Sequence, residues 1–348
     1  MSDGFRACTM EVKAMLKKSL CRYMTLFRSI VSVIPLIIVS AVVLTASSGC
    51  GGGGSGIPAS PVGQPSLKWL GVGEALAVSA DGSVVVGYSY QRGAFRWTAA
   101  TGMQIIEGCW VAWDVSSDGS VVVGLTNSGE AFRWTIATGV QVLGAGQARG
   151  ISANGSVIVG SSNNRAFRWV AGAGMQDIGP RDFNMSEAYS VSADGSVVVG
   201  DAGGAFRWTV ATGFQYIGSG TAWDVSADGS VVVGSSLEGA FRWTAATGVQ
   251  YLGTLLGSSD SSAFAVSGDG SIVVGRASIT AERDHAIRWT PSRGIEDLNI
   301  AYADLLTPGS YLAEALDISP DGRYIVGRGY NAVTGRSEAF LLDTGIRR

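Results

Sequence analysis

The chain is poor in the residues that build metal and nucleophile sites. Its 348 residues include one His, His285, and four Cys. Cys8, Cys21 and Cys50 fall within the first fifty residues, which leaves Cys109 as the single thiol beyond them. One thiol makes no disulfide framework, and neither a zinc site nor a His-based triad is expected. Charged residues make up only 15% of the chain and there are 8 Pro. No segment of the repeated part of the chain keeps a helical period over three turns. What is plentiful is Gly, 50 residues, set among short runs of Val, Phe and Trp. Low charge with 46% hydrophobic residues excludes a disordered chain, and Gly without a triplet period excludes collagen.

The first fifty residues have the layout of an export signal. Arg6, Lys13, Lys17, Lys18, Arg22 and Arg28 outnumber Asp3 and Glu11, and an apolar run from Ser29 to Ala46 follows. Ser47-Ser48-Gly49-Cys50 then leads into a Gly-rich stretch, Gly51 to Gly56. A basic region, an apolar region and a small-residue exit define a secretory signal. Met24 offers a second start, with a basic region of more ordinary length. Small residues running into Cys50 resemble a bacterial lipoprotein signal, although Ser47 stands where that pattern prefers Leu. The resemblance implies lipidation of Cys50 and a lipid anchor at the outer membrane or cell surface. The alternatives are a secreted or periplasmic protein cut after Ser48, or an uncleaved anchor helix. Residues 1–50 are therefore assigned to the signal and 51–65 to a flexible tether. Removing the six basic and two acidic residues of the signal leaves 19 basic and 26 acidic, a net charge of −7. Such a chain has no electrostatic footprint for nucleic acid.

Residues 66–348 repeat one motif seven times. Val78-Ser79-Ala80-Asp81-Gly82-Ser83-Val84-Val85-Val86-Gly87 recurs with its turn Gly at 82, 119, 155, 195, 229, 270 and 322. Each copy is trailed by a segment like Ala94-Phe95-Arg96-Trp97, and the first six by one like Thr101-Gly102-Met103-Gln104-Ile105-Ile106. The repeats span about 72–108, 109–146, 147–182, 183–220, 221–257, 258–309 and 310–348. Short Val- and Trp-rich segments punctuated by Gly predict strands, and Asp-Gly between two of them predicts a hairpin. One repeat gives strand a (76–79), strand b (83–87), strand c (94–98) and strand d (103–106). Four strands in about 37 residues match the blade of a β-propeller. The seventh repeat lacks strand d, and Ser66-Leu67-Lys68-Trp69-Leu70-Gly71 is an orphan strand d ahead of the first. An all-β, seven-bladed propeller closed by this N-terminal strand is predicted, which removes free edges. An open β-solenoid is the alternative, and it has no use for the orphan strand. A monomer is expected.

These motifs resemble the HAF-type extracellular repeats of bacteria, over about Trp69 to Asp343. The His-Ala-Phe signature itself survives only as His285-Ala286-Ile287. Ser319-Pro320-Asp321-Gly322 also resembles the turn of WD40-like and TolB-like propellers. The resemblance implies an extracellular propeller and no activity.

Residues invariant among repeats serve what every repeat needs. The turn carboxylates Asp81, Asp118, Asp194, Asp228, Asp269 and Asp321, with Asn154 in the third copy, are assigned to turn chemistry. One carboxylate per turn cannot supply the six to eight oxygens of calcium. Arg96, Arg133, Arg168, Arg207, Arg242 and Arg288 lie opposite Phe and Trp on strand c, and each is expected to tie a turn through the repeated Asp. No metal and no cofactor are expected. Alternating strands put the variable b–c and d–a loops on one face. That face carries Tyr90, Arg92, Trp110, Arg181, Phe183, Tyr189, Arg283, His285, Tyr302, Asp304, Tyr330 and Arg336. Trp113 and Trp223 fall at the start of strand a, near the channel mouth. Aromatic and Arg side chains anchor protein and glycan partners, so the expected function is an exported binding scaffold without catalysis. A glycan hydrolase or lyase would need acid and base groups in that mouth, for which Asp304, Glu314 and His285 are the candidates. A passive structural or adhesive surface protein is the third reading.

Overall fold

The structure, a computed structural model, describes residues 63–183, 185–280 and 283–346. The expected export signal, with Cys50, and most of the expected tether lie outside the described residues. The chain forms seven antiparallel four-stranded sheets, the blades of a seven-bladed β-propeller. Blade one runs through strand a (Glu74–Val78), b (Val84–Ser89), c (Gly93–Thr98) and d (Gly102–Ile105). The next five blades repeat this order with Cys109–Val115, Gln147–Ile151, Glu187–Val191, Thr221–Val225 and Ser261–Val266 as strand a. Blade seven takes strands a to c from Tyr311–Ile318, Tyr324–Asn331 and Arg336–Asp343, and strand d from Ser66–Val72. The orphan strand pairs as the repeat pattern requires, with Ser66 opposite Asp343 and Trp69 opposite Phe340. The a strands of consecutive blades lie against one another round the whole ring, blade seven against blade one. They are the innermost strands and line the central channel.

The recurring Ser-x-Asp-Gly-Ser segment is a closed local unit. Ser79 Oγ donates to Asp81 at 2.8 Å, Asp81 accepts from the Ser83 amide at 2.9 Å, and Ser79 Oγ accepts from the Val84 amide at 3.0 Å. Strand a ends at Val78, one residue before the sequence suggests, and Ser79 closes the hairpin with both its backbone amide, which donates to the Val84 carbonyl at 2.9 Å, and its hydroxyl. The Ser116 hydroxyl and the Ser120 amide hold Asp118 below the usual carboxylate range, and Asp194 and Asp228 repeat this. Gly82 has φ of 72°, as the hairpin demands. A second constraint comes from the neighbouring blade. A Cβ on Gly119 would come within 2.5 Å of Val84, and one on Gly82 within 2.6 Å of Tyr324.

The expected role of the repeated Arg needs correcting. The turn Asp residues are occupied within their own turns, so Arg does not reach them. Arg168 donates instead to the Gly195 carbonyl, and Arg242 to the Gly270 carbonyl, each in the turn of the next blade. Arg133 reaches Gln141, and Arg288 reaches Glu296 and Tyr302. Arg96 lies over Trp134, while the buried Nε atoms of Arg96 and Arg207 have no partner among the described residues. Phe95 and Trp97 pack toward blade seven, whereas Ala94 faces blade two.

The a–b turns are also linked to one another. Amides of Ala80, Ser117, Ala153, Ala193, Ala227 and Gly268 each donate to the corresponding carbonyl of the next blade, at 2.9–3.1 Å. The belt ends at Pro320, which has no N–H to donate onward to blade one. That seam is fastened instead by the Ser66–Val72 strand and by the Val78 amide donating to Asp317 at 2.9 Å.

Candidate functional site

The channel mouth is shaped by one device repeated in every blade. Strand b ends its Val-Val-Val run with Gly, and strand a opposite has a register shift. In blade two the shift falls between Ala112 and Asp114, which makes Trp113 the extra residue of a β-bulge. A Cβ on Gly124 would lie 2.0 Å from the Val111 carbonyl oxygen, and Gly87, Gly160, Gly200, Gly234, Gly275 and Gly327 meet the same obstacle. Only Gly lets the bulged strand approach this closely. A bulge re-aims its side chain. The residues bulged at this position are Leu76, Trp113, Arg149, Tyr189, Trp223, Phe264 and Leu316, all half-buried, and strand a of blades two and seven has a second shift at Trp110 and Ala313.

Five of these form a continuous arc across blades two to six. The Arg149 guanidinium lies 3.9 Å over the Trp113 ring and 5.6 Å from the Tyr189 ring. Tyr189 and Trp223 follow at a centroid distance of 4.6 Å, then Trp223 and Phe264 edge to face at 6.3 Å. Glu187 braces the arc, accepting from Arg149 Nε at 2.8 Å, Gln147 at 2.7 Å and the Tyr189 hydroxyl at 3.1 Å. Trp223 Nε1 donates to Ser235. Leu125 occupies the matching place in blade two, and the buried Trp113 Nε1 has no hydrogen-bond partner among the described residues.

The other side of the mouth is ionic. Arg328 pairs with Glu314 at 2.7 Å and approaches Glu74 at 3.8 Å, while Arg276 bridges Asp284 and Glu314. Tyr90, half exposed, donates to Glu74. Burial pushes the Glu74 carboxyl up, against the pull of Arg328.

Next to the bulge on strand a, blades two, five and seven carry Asp114, Asp224 and Asp317. Each accepts the amide of the following blade's strand a, from Ile151 (2.9 Å), Val266 (2.8 Å) and Val78 (2.9 Å). Ser190 also donates to Asp224 at 2.6 Å. Burial pushes Asp114 up to about 7, with the Asp224 charge adding to it. Burial raises Asp224, and raises Asp317 further because it also feels the other two.

The remaining face residues do not join this arc. Tyr330 stacks on Tyr311, and Arg283 lies 4.3 Å over Tyr311. Tyr302 packs with Arg288, following the short helix Leu298–Ala301 that occupies the sixth d–a insertion. Trp110 and Phe183 are 43% and 40% exposed, and Arg92, Arg181, Asp304 and Arg336 stand in solvent. His285 Nδ1 is 2.7 Å from Asp297 on strand d, at the register where Arg165 meets Asp177 in blade three. That recurrence makes the His a cross-strand pairing residue, and it explains why other residues replace it elsewhere. The three catalytic candidates have separate surroundings: His285 contacts Asp297, Glu314 pairs with Arg276 and Arg328, and Asp304 is exposed.

Sequence reasoning singled out Trp113, Tyr189 and Trp223. It passed over Arg149, Phe264, Glu187 and the three channel Asp residues. The signal was present in the repeat alignment, since strand a keeps one Ala and a closing Val or Ile in every copy while the columns that hold the bulge residues and the Asp residues vary.

Comparison with known proteins adds little. The chain matches no protein-family model and no curated protein. Among the solved structures it resembles is that of TolB from Acinetobacter baumannii, with a TM-score of 0.43 and 13% identity. That match covers 63% of this chain and only 61% of TolB. It carries no argument about function. The propeller assignment rests on the strand pairing, and the likeness to HAF-type repeats on the motifs alone.

Proposed function

We propose that the protein is an exported, lipid-anchored binding module of the bacterial envelope that performs no catalysis. Its ligand, a glycan or a protein, seats in the channel mouth on the variable-loop face. The observation that carries this reading is the arc from Trp113 to Phe264, in which the bulge residues of five successive repeats lie against one another. Repeats conserve what folding needs, so a position that varies inside a fixed frame is free to serve recognition. Export and anchoring are supported by the signal-like segment ending at Cys50.

The mature protein is applied to glycan arrays and used as bait for envelope proteins, alongside the Trp113→Ala/Trp223→Ala double variant. Loss of the captured ligand in a variant that keeps its strand circular dichroism supports the mouth. Unchanged capture refutes it. Incorporation of labelled palmitate that disappears in Cys50→Ser supports the anchor, and no incorporation in the wild type refutes it.

A further inference from the structure

We propose that the mouth is built for an acidic saccharide whose carboxylate is taken by Arg149, an inference that rests on the mouth being the binding site. Arg149 is already ordered. Its ring-stacked guanidinium is held at Nε by Glu187, which Gln147 and Tyr189 hold in turn. Its two terminal nitrogens have no partner among the described residues, although the side chain is still 21% exposed. Arg165, by contrast, uses all three nitrogens on Asp177 and loop carbonyls. A planar fork with Nε occupied presents its remaining N–H pair in the geometry of a carboxylate. The ordering cost that a flexible Arg would add on binding has been met in folding.

The surroundings select the body attached to that carboxylate. Beyond Tyr189 the arc continues to Trp223 and Phe264, flat apolar surfaces for the C–H face of a sugar ring. The Ser235 hydroxyl accepts from Trp223 Nε1 and keeps its own O–H to donate to a sugar hydroxyl. The aromatic residues are half-buried around a channel, whereas protein partners are usually held by anchors that stand out in a larger apolar patch. The domain is acidic overall, so attraction for an anion here is local to Arg149.

The test is calorimetric titration of the mature protein with hexameric oligogalacturonate, with cellohexaose as its neutral counterpart, and with a short peptide bearing a free C-terminal carboxylate. The uronate is expected to bind at least about tenfold more tightly than cellohexaose, a difference of about 1.4 kcal/mol. Arg149→Lys is expected to remove that preference, and Trp223→Ala to weaken both sugars. Raising the salt concentration should weaken the uronate and spare cellohexaose, a readout that needs no variant. Equal binding of the two sugars, or an Arg149→Lys protein with its preference intact, overturns the role of Arg149 and leaves the mouth standing. Tighter binding of the peptide, or no binding of either sugar, overturns the saccharide. Uronate binding that ignores Trp223→Ala overturns the mouth as well.

Discussion

Replacing Asp114 with Asn should turn from destabilising to stabilising as the pH rises from 5 to 8. Asp114 accepts the Val115 amide at 2.7 Å and the Ile151 amide at 2.9 Å. It is half-buried on strand a, the strand that lines the channel. Burial takes its carboxyl from an ordinary 3.8 to about 7. The folded carboxyl then keeps its proton over a range where the unfolded one has lost it. The stability it contributes is complete below pH 3.8, declines as the pH rises, and is gone above about 7. Each pH unit in that window is worth about 1.4 kcal/mol, so the step from pH 5 to 7 costs about 2.7 kcal/mol, or about 2 once channel water is allowed for. Asn does not titrate, but its amide group cannot accept the second backbone N–H, a loss of about 1 kcal/mol at every pH. The variant should therefore be about 1 kcal/mol less stable at pH 5 and about 1 kcal/mol more stable at pH 8. Denaturant melts of both proteins at pH 5, 6, 7 and 8 read this difference directly. The turn carboxylates titrate below their usual range and cancel between the two proteins. A stability difference that stays constant across the series would refute the placement of Asp114 in a low-polarity channel.

Other perturbations separate the packing roles. Gly124→Ala sets a methyl 2.0 Å from the Val111 carbonyl and should destabilise by about 3 kcal/mol or more, or abolish folding, whereas Gly102→Ala meets no atom within 4 Å and should cost only the backbone strain of its φ of 65°, about 1 kcal/mol; thermal melts compare the two. Ser79→Ala removes the hydroxyl that both donates to Asp81 and accepts from Val84, and should lower stability by about 1–2 kcal/mol in chemical denaturation. Deleting residues through Val72 strips blade seven of its outer strand, and size-exclusion chromatography should then show association through the bared Arg336–Asp343 edge; a stable monomer would count against closure by that strand. Arg168→Ala should cost about 1 kcal/mol in a denaturant melt, since it removes one tie to the Gly195 carbonyl of the next blade.

Much of this architecture is legible without coordinates. Seven copies at spacings of 34 to 52 residues count the blades. Asp-Gly and Thr-Gly dipeptides place the hairpins, and a leftover strand at one end meets a missing one at the other. These are local signals, carried by residues that act within their own repeat. The hydrogen bonds of Ser79, Asp81 and Ser83 close over five residues, so one copy of the motif is enough to specify the turn.

What the tertiary structure alone decided lies between repeats. Local pattern offers Asp as the obvious partner of each Arg, but the neighbouring blade supplies a backbone carbonyl instead. The Gly of the Val-Val-Val-Gly run has no special φ to betray it. It is required because the bulged strand beside it brings a carbonyl within 2.0 Å, and that bulge in turn points Trp113, Arg149, Tyr189 and Trp223 into one arc. Asp114, Asp224 and Asp317 sit a hundred residues apart and appear as ordinary strand residues until ring closure faces them across one channel. Sequence determines what each blade can be, since strand and turn preferences are decided over a few residues. The curvature of the closed ring determines which of its variable positions meet, and therefore where binding and charge are concentrated.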